Sequence, residues 1–259
     1  MCYNSGYIIG FGKDVIYMSY NFKDKKVLFM GDSITALYMG ERGWPRYFCE
    51  ILGIEKHLCT AVAGSHWCDY EDTVYDGNPV FKGNEHNPNN TMCNQIEKLK
   101  IHKEAGEEAY ADFDIIIMAA GTNDKMPESN EITDAQFTKD GIFIPLEEAD
   151  TKTWGGSIRY VSEKLYDMYP NARQFICTPI QADEKVRPFR SILAKGAFLK
   201  EISARISVNY IDTLYCGIYA RYEKWQENGR SLVDGLHPNA HGAKQMAEFI
   251  AAAVRNAMI

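Results

Sequence analysis

The chain has 259 residues, enough for one sizeable α/β core. Its 46% hydrophobic and 24% charged residues are ordinary globular usage, which excludes a disordered or fibrous chain. A formal net charge of −7 without any basic run argues against nucleic acid as a partner, because phosphate binding needs clustered Lys and Arg.

Taken in chain order, residues 1–25 precede the first strong strand and are read as an N-terminal appendage. They lack a basic region followed by an apolar stretch, and no run approaches the ~18 apolar residues of a membrane span. A cytoplasmic protein with no membrane partner is therefore expected. Seven cysteines at 2, 49, 59, 68, 93, 177 and 216 form no C-x-x-C spacing, which fits free thiols better than a disulfide scaffold. The scattered histidines give no zinc arrangement, so no metal is expected.

Apolar runs of strand length occur at KVLFM (26–30), HLCTAV (57–62), DIIIMAA (114–120), RQFICT (173–178) and VNYIDT (208–213), each apolar enough to be buried on both faces. Segments of helical period separate them at 44–52, 94–103, 156–169, 192–207 and 241–256. The alternation predicts βαβ units around a parallel sheet, in one domain over 26–259. Three stretches are too long for plain connections: 65–93, 124–153 and 181–191. Each follows a predicted strand, where insertions would wall a ligand site. The second carries eight carboxylates against three lysines, the composition of a solvated loop.

Four segments carry chemistry. KVLFMGDSITAL runs a buried strand into Gly31-Asp32-Ser33, presenting Ser33 at the strand's carboxyl end. There it would be a nucleophile beside backbone N–H groups suited to an oxyanion, or a helix N-cap. Gly64 follows the second strand, where a missing side chain would let substrate approach a backbone N–H. Asn123, in Gly121-Thr122-Asn123-Asp124 after the third strand, would donate its amide to an oxyanion or make an Asx-turn. In LVDGLHPNAHG, Asp234 stands three residues before His237, a spacing that lets a carboxylate accept the imidazole Nδ1–H and aim Nε2 at a nucleophile. An exposed turn histidine is the alternative there.

Together these blocks resemble, in order and spacing, the signature blocks of the SGNH/GDSL hydrolase family, over about residues 26–256. The resemblance implies a flavodoxin-like three-layer α/β/α sandwich with five parallel strands in the order 2-1-3-4-5. It implies Ser33, Asp234 and His237 as catalytic triad, and the Ser33 and Gly64 N–H groups with the Asn123 amide as oxyanion hole. Asp32 is read as a structural group bonding nearby backbone. No cofactor is needed, and the expected partner is a small-molecule ester.

Aromatic residues of the insertions (Trp67, Tyr70, Tyr75, Phe81) and Trp154 could stack on a sugar ring, as would suit a carbohydrate acetylesterase, line an acyl pocket, or pack the insertions, the commonest fate of such residues. A small-acyl ester is favoured because no long exposed apolar surface can be read from 65–93. His66, two residues after Gly64, and His86 could touch substrate, and Arg187 and Arg190 could bind an anionic group. A noncatalytic glycan-binding member of the fold and a lipase or lysophospholipase with longer acyl preference are the alternatives. No G-x-S-x-G elbow and no phosphate-cradling glycine loop is present.

Overall fold

The computed structural model describes residues 7–9, 16–18, 21–83, 85–125, 134–223 and 229–258. Of residues 1–20, only two short strands, Tyr7–Ile9 and Ile16–Met18, are described, and they pair with each other antiparallel. The rest of residues 1–20, and Glu128 and Glu131 of the acidic insertion, lie outside the described residues.

Five strands build the central sheet: β1 (Lys26–Gly31), β2 (Lys56–Cys59), β3 (Ile115–Ala119), β4 (Arg173–Cys177) and β5 (Asn209–Ile211). Every pairing is parallel, and the order is β2-β1-β3-β4-β5, the flavodoxin-like arrangement. Alternation along each strand sends side chains to two separate cores. Val27, Phe29, Ile115, Ile117, Phe175 and Cys177 face one side, while Leu28, Met30, Ile116, Met118 and Ile176 face the other.

Helices α2 (Trp44–Leu52) and α6 (Ala240–Met258) cover the first side. Helices α3 (Met92–Glu104), α4 (Trp154–Met168) and α5 (Phe189–Arg205) cover the second. The three layers follow from these apolar faces, since a sheet buried on both sides needs helices on both. A single turn of helix, α1 (Ser33–Ala36), leaves the end of β1.

Local hydrogen bonding explains where elements depart from the predicted bounds. β2 ends at Cys59, yet the chain follows β1 further, with the Thr60 N–H on Phe29 O and the Val62 N–H on Gly31 O. β5 stops because Asp212 caps the turn Thr213–Tyr215 by accepting the Leu214 N–H. Helices α3 to α6 all begin earlier than their apolar period indicates, two of them at threonine caps. Thr91 caps α3 by accepting the Asn94 N–H, and Thr153 caps α4 by accepting the Gly156 N–H. Trp154 is thereby the first residue of a helix and not the end of a loop.

Candidate active site

Ser33 stands at the carboxyl end of β1, half-buried, as the first residue of α1. Gly31 makes the approach possible: a Cβ there would lie 2.1 Å from the Ala119 carbonyl oxygen, so only glycine lets β1 end so close to β3. Asp32 then caps α1, its Oδ1 accepting the Ile34 N–H at 3.0 Å. A helix's first N–H groups have no intrahelical acceptor, which leaves the Ser33 amide available. Asp32 itself is 1% exposed. Burial pushes its carboxyl up to about 6, against the opposing pull of the Ile34 N–H.

The loop before α6 brings an imidazole to this serine across 204 positions of sequence. His237 Nε2 lies 2.9 Å from Ser33 Oγ, and its Nδ1 lies 2.7 Å from Asp234 Oδ2. An ionised carboxylate only accepts, so Nδ1 carries the proton and Nε2 is left to accept from the serine hydroxyl. The other oxygen, Asp234 Oδ1, accepts the backbone N–H of Leu236 at 3.0 Å and of His237 at 2.7 Å. Burial works to raise the Asp234 carboxyl. The backbone and ring donors of His237 and the Leu236 N–H outweigh it and hold the carboxyl below the ordinary range. Arg42, after α1, donates to the Pro238 carbonyl at 3.0 Å and ties the histidine loop to the serine side.

Gly64 and Asn123 sit on neighbouring loops that are bonded together. Gly64 has φ +78°, a conformation other side chains rarely adopt, and a Cβ there would press on Phe81 and Asn90. Asn123 Nδ2 donates to the Ser65 carbonyl at 3.1 Å. The buried Asp124 carboxylate accepts the N–H groups of Trp67 and Cys68 at 2.9 to 3.1 Å. Burial raises the Asp124 carboxyl above the ordinary range, with the charge of His66 opposing. From α3, Gln95 reaches both Gly31 and Ser65: it accepts the Gly31 N–H, and its amide donates to Gly31 O and Ser65 Oγ. Thus the carboxyl ends of β1, β2 and β3 are joined by side chains.

The aromatic wall expected of the insertions is corrected by their packing. Trp67 is 0% exposed and belongs to the core beneath α3 and α4, so it has no face to offer a sugar. Trp154 is 2% exposed and lends only an edge to a cleft of about 300 Å³. His66, Tyr70, Asn123, Lys125 and Lys152 also line that cleft. His66 bonds the Tyr70 hydroxyl, and the exposed His86 stacks edge-on against the same ring. Phe81, beside Gly64, is 54% exposed.

Two cations stand behind Asn123. Lys195 of α5, 2% exposed, donates to Asp124 O at 2.6 Å and Thr122 O at 3.3 Å. Burial lowers its pKa, with Asp124 opposing. Arg187 turns inward, Nε donating to the Thr122 carbonyl at 3.1 Å, whereas Arg190 is exposed. The sequence reading passed over Lys195, although one signal marks it: it lies between Ile192 and Leu199 on the buried stripe of α5.

Comparison with curated protein sequences finds no match. Solved structures of the same architecture are numerous. The chain is similar to a possible lipase from Chitinophaga pinensis at 16% identity and TM-score 0.57, covering 91% of this chain and 99% of that one. It is similar to Est24, a carbohydrate acetylesterase from Sinorhizobium meliloti, at 14% identity and TM-score 0.53, covering 91% and 100%. An acetyl xylan esterase from Geobacillus stearothermophilus aligns at 17% identity and TM-score 0.52, covering 90% and 95%. At such identities the likeness speaks for the fold. Residues 27–250 match the family model described as GDSL-like Lipase/Acylhydrolase, a span from β1 to the middle of α6 that holds all four signature blocks, and the chain therefore belongs to that family of ester-hydrolysing enzymes.

Proposed function

We propose that the protein is a serine esterase that removes a small acyl group, most naturally acetyl from a carbohydrate, through an acyl-enzyme on Ser33. The reading rests on one observation: Asp234, His237 and Ser33 form a continuous chain of hydrogen bonds of 2.7 and 2.9 Å. His237 Nε2 takes the Ser33 proton as Oγ attacks the ester carbonyl. Asp234 keeps the imidazole in the accepting tautomer and stabilises the imidazolium that results. The N–H groups of Ser33 and Gly64 and the Asn123 amide receive the oxyanion. His237 then protonates the leaving alcohol, and water, activated by the same imidazole, releases the acid.

The substrate class is supported by the cleft beside Asn123, where His66, Tyr70, Lys125 and Lys152 supply hydrogen-bonding groups suited to the hydroxyls of a sugar leaving group. The names carried by two of the similar folds, carbohydrate acetylesterase and acetyl xylan esterase, point the same way.

The test compares wild type with Ser33→Ala on acetyl, butyryl and long-chain p-nitrophenyl esters and on acetylated xylose. Wild type should favour the acetyl compounds. Ser33→Ala should be folded, inactive and unlabelled by a fluorophosphonate probe. Undiminished hydrolysis by Ser33→Ala overturns the nucleophile, and a clear long-chain preference overturns the substrate class.

A further inference from the structure

The segment carrying Asn123 is gripped on the side away from the cleft by groups that the acyl-transfer chemistry does not use. Lys195 brings one ammonium to the carbonyls of both residues flanking Asn123, at 3.3 Å to Thr122 O and 2.6 Å to Asp124 O. Arg187 adds a second donor to Thr122 O at 3.1 Å. Taking an ammonium out of water is costly, and an apolar side chain would fill this position on the buried stripe of α5 without that cost. What the ammonium supplies instead is several directed donors from a single atom.

Their effect on Asn123 is geometric. Among the described residues every peptide bond is trans, so turning the Thr122 carbonyl toward Lys195 turns the Asn123 N–H the opposite way. With the carbonyls on either side fixed, the backbone at Asn123 is restrained. The remaining side-chain rotation is set by the Nδ2 bond to Ser65 O, and the Asp124 carboxylate anchors the same turn to the N–H groups of Trp67 and Cys68. An oxyanion donor acts only if it is already aimed when charge develops, and a misplacement of about 1 Å can cost on the order of a hundredfold in rate.

We propose that Lys195, assisted by Arg187, is a positioning residue for oxyanion stabilisation, holding the Asn123 amide in its working direction through the carbonyls of Thr122 and Asp124. The proposal rests on the reading of Asn123 as an oxyanion donor. A competing role is charge balance for the buried Asp124, which would affect stability but would not act through Asn123.

The experiment is a double-mutant cycle on p-nitrophenyl acetate hydrolysis, with Lys195→Met, Asn123→Ala and the double variant. Lys195→Met keeps an unbranched side chain one atom shorter and removes the donors. It should lower kcat about tenfold to a hundredfold with KM changed less than about threefold. Asn123→Ala should lose on the order of 10²–10³ in kcat. The double variant should be no slower than Asn123→Ala alone, within about twofold, because a group that acts through the amide has nothing left to position.

Equal losses from Lys195→Met in both backgrounds overturn the positioning role in favour of a direct field or charge balance. Full activity in Asn123→Ala overturns the oxyanion reading itself, a different failure from the first. Should Lys195→Met not fold, Arg187→Ala carries the same cycle. It should lose about threefold to tenfold in kcat, and that loss should vanish in the Asn123→Ala background.

Discussion

Two aspartates flank Ser33 and are held in opposite ways. Asp234 lies in front, 47% exposed, with its oxygens on the His237 ring and two backbone donors, and it is kept ionised. Asp32 lies behind, shut into the end of the sheet, with Oδ1 on the Ile34 N–H. Its folded-state pKa of about 6 exceeds the ordinary aspartate value of 3.8, so the folded chain binds this proton more tightly than the unfolded chain. The associated stability is complete below the unfolded value and is lost as pH rises through about 6. The contribution amounts to roughly 3 kcal/mol. Asp32→Asn retains the capping oxygen and has no proton to lose. Relative to wild type, its unfolding free energy should improve by roughly this amount between pH 4 and pH 8, measured by urea denaturation at each pH. A difference that stays constant with pH would show that Asp32 titrates the same way folded and unfolded.

At the scale of elements, the strands and helices were legible because burial on both faces of a sheet leaves apolar runs, and one-sided burial leaves a 3–4 residue period. The loops of the site were legible only as blocks: Ser33, Asn123 and His237 each follow or precede a readable element. What joins them was not legible. Gln95 and Asn94 are fully buried amides on α3, and a pattern of apolar residues reads such amides as solvent-facing. The insertion after Gly64 misled for a related reason, since its aromatics looked like loop residues while Asp124 and Thr151 pull that loop onto the core through the N–H groups of Trp67, Cys68 and Asp69. Trp67 is accordingly a packing residue whose indole N–H has no partner. Trp67→Ala should cost about 3–5 kcal/mol of stability through the cavity it leaves. Trp67→Phe should cost clearly less, because it also removes the orphaned donor. A Trp67→Ala protein of normal stability but altered sugar preference would return this residue to the substrate wall.

At the scale of the molecule, the site exists only where the ends of the sheet meet α6. Among the described residues no helix is long and apolar enough to cross a membrane, and α6 spends its apolar face on the sheet and α2. Ala243, Met246, Ala247, Ile250, Ala251 and Val254 are all buried along it. His237 lies three residues before this helix, so docking of α6 brings the imidazole to Ser33. Ile250 is nearly three turns along α6, remote from Ser33 and His237, and 0% exposed. Ile250→Ala should therefore weaken the docking without touching the chemistry, costing about 2–5 kcal/mol. At about 2–4 °C per kcal/mol, the melting temperature should fall by roughly 5–15 °C. Because the hydrogen-bond chain is intact whenever α6 is docked, kcat at 20 °C should match wild type, and the temperature of half-inactivation should fall in step with melting. Calorimetry and residual-activity curves on the same samples decide the matter. Loss of activity well below the melting transition would mean that the His237 loop leaves Ser33 while α6 remains in place, and that the loop's own bonds to Asp234 and Arg42 set the limit.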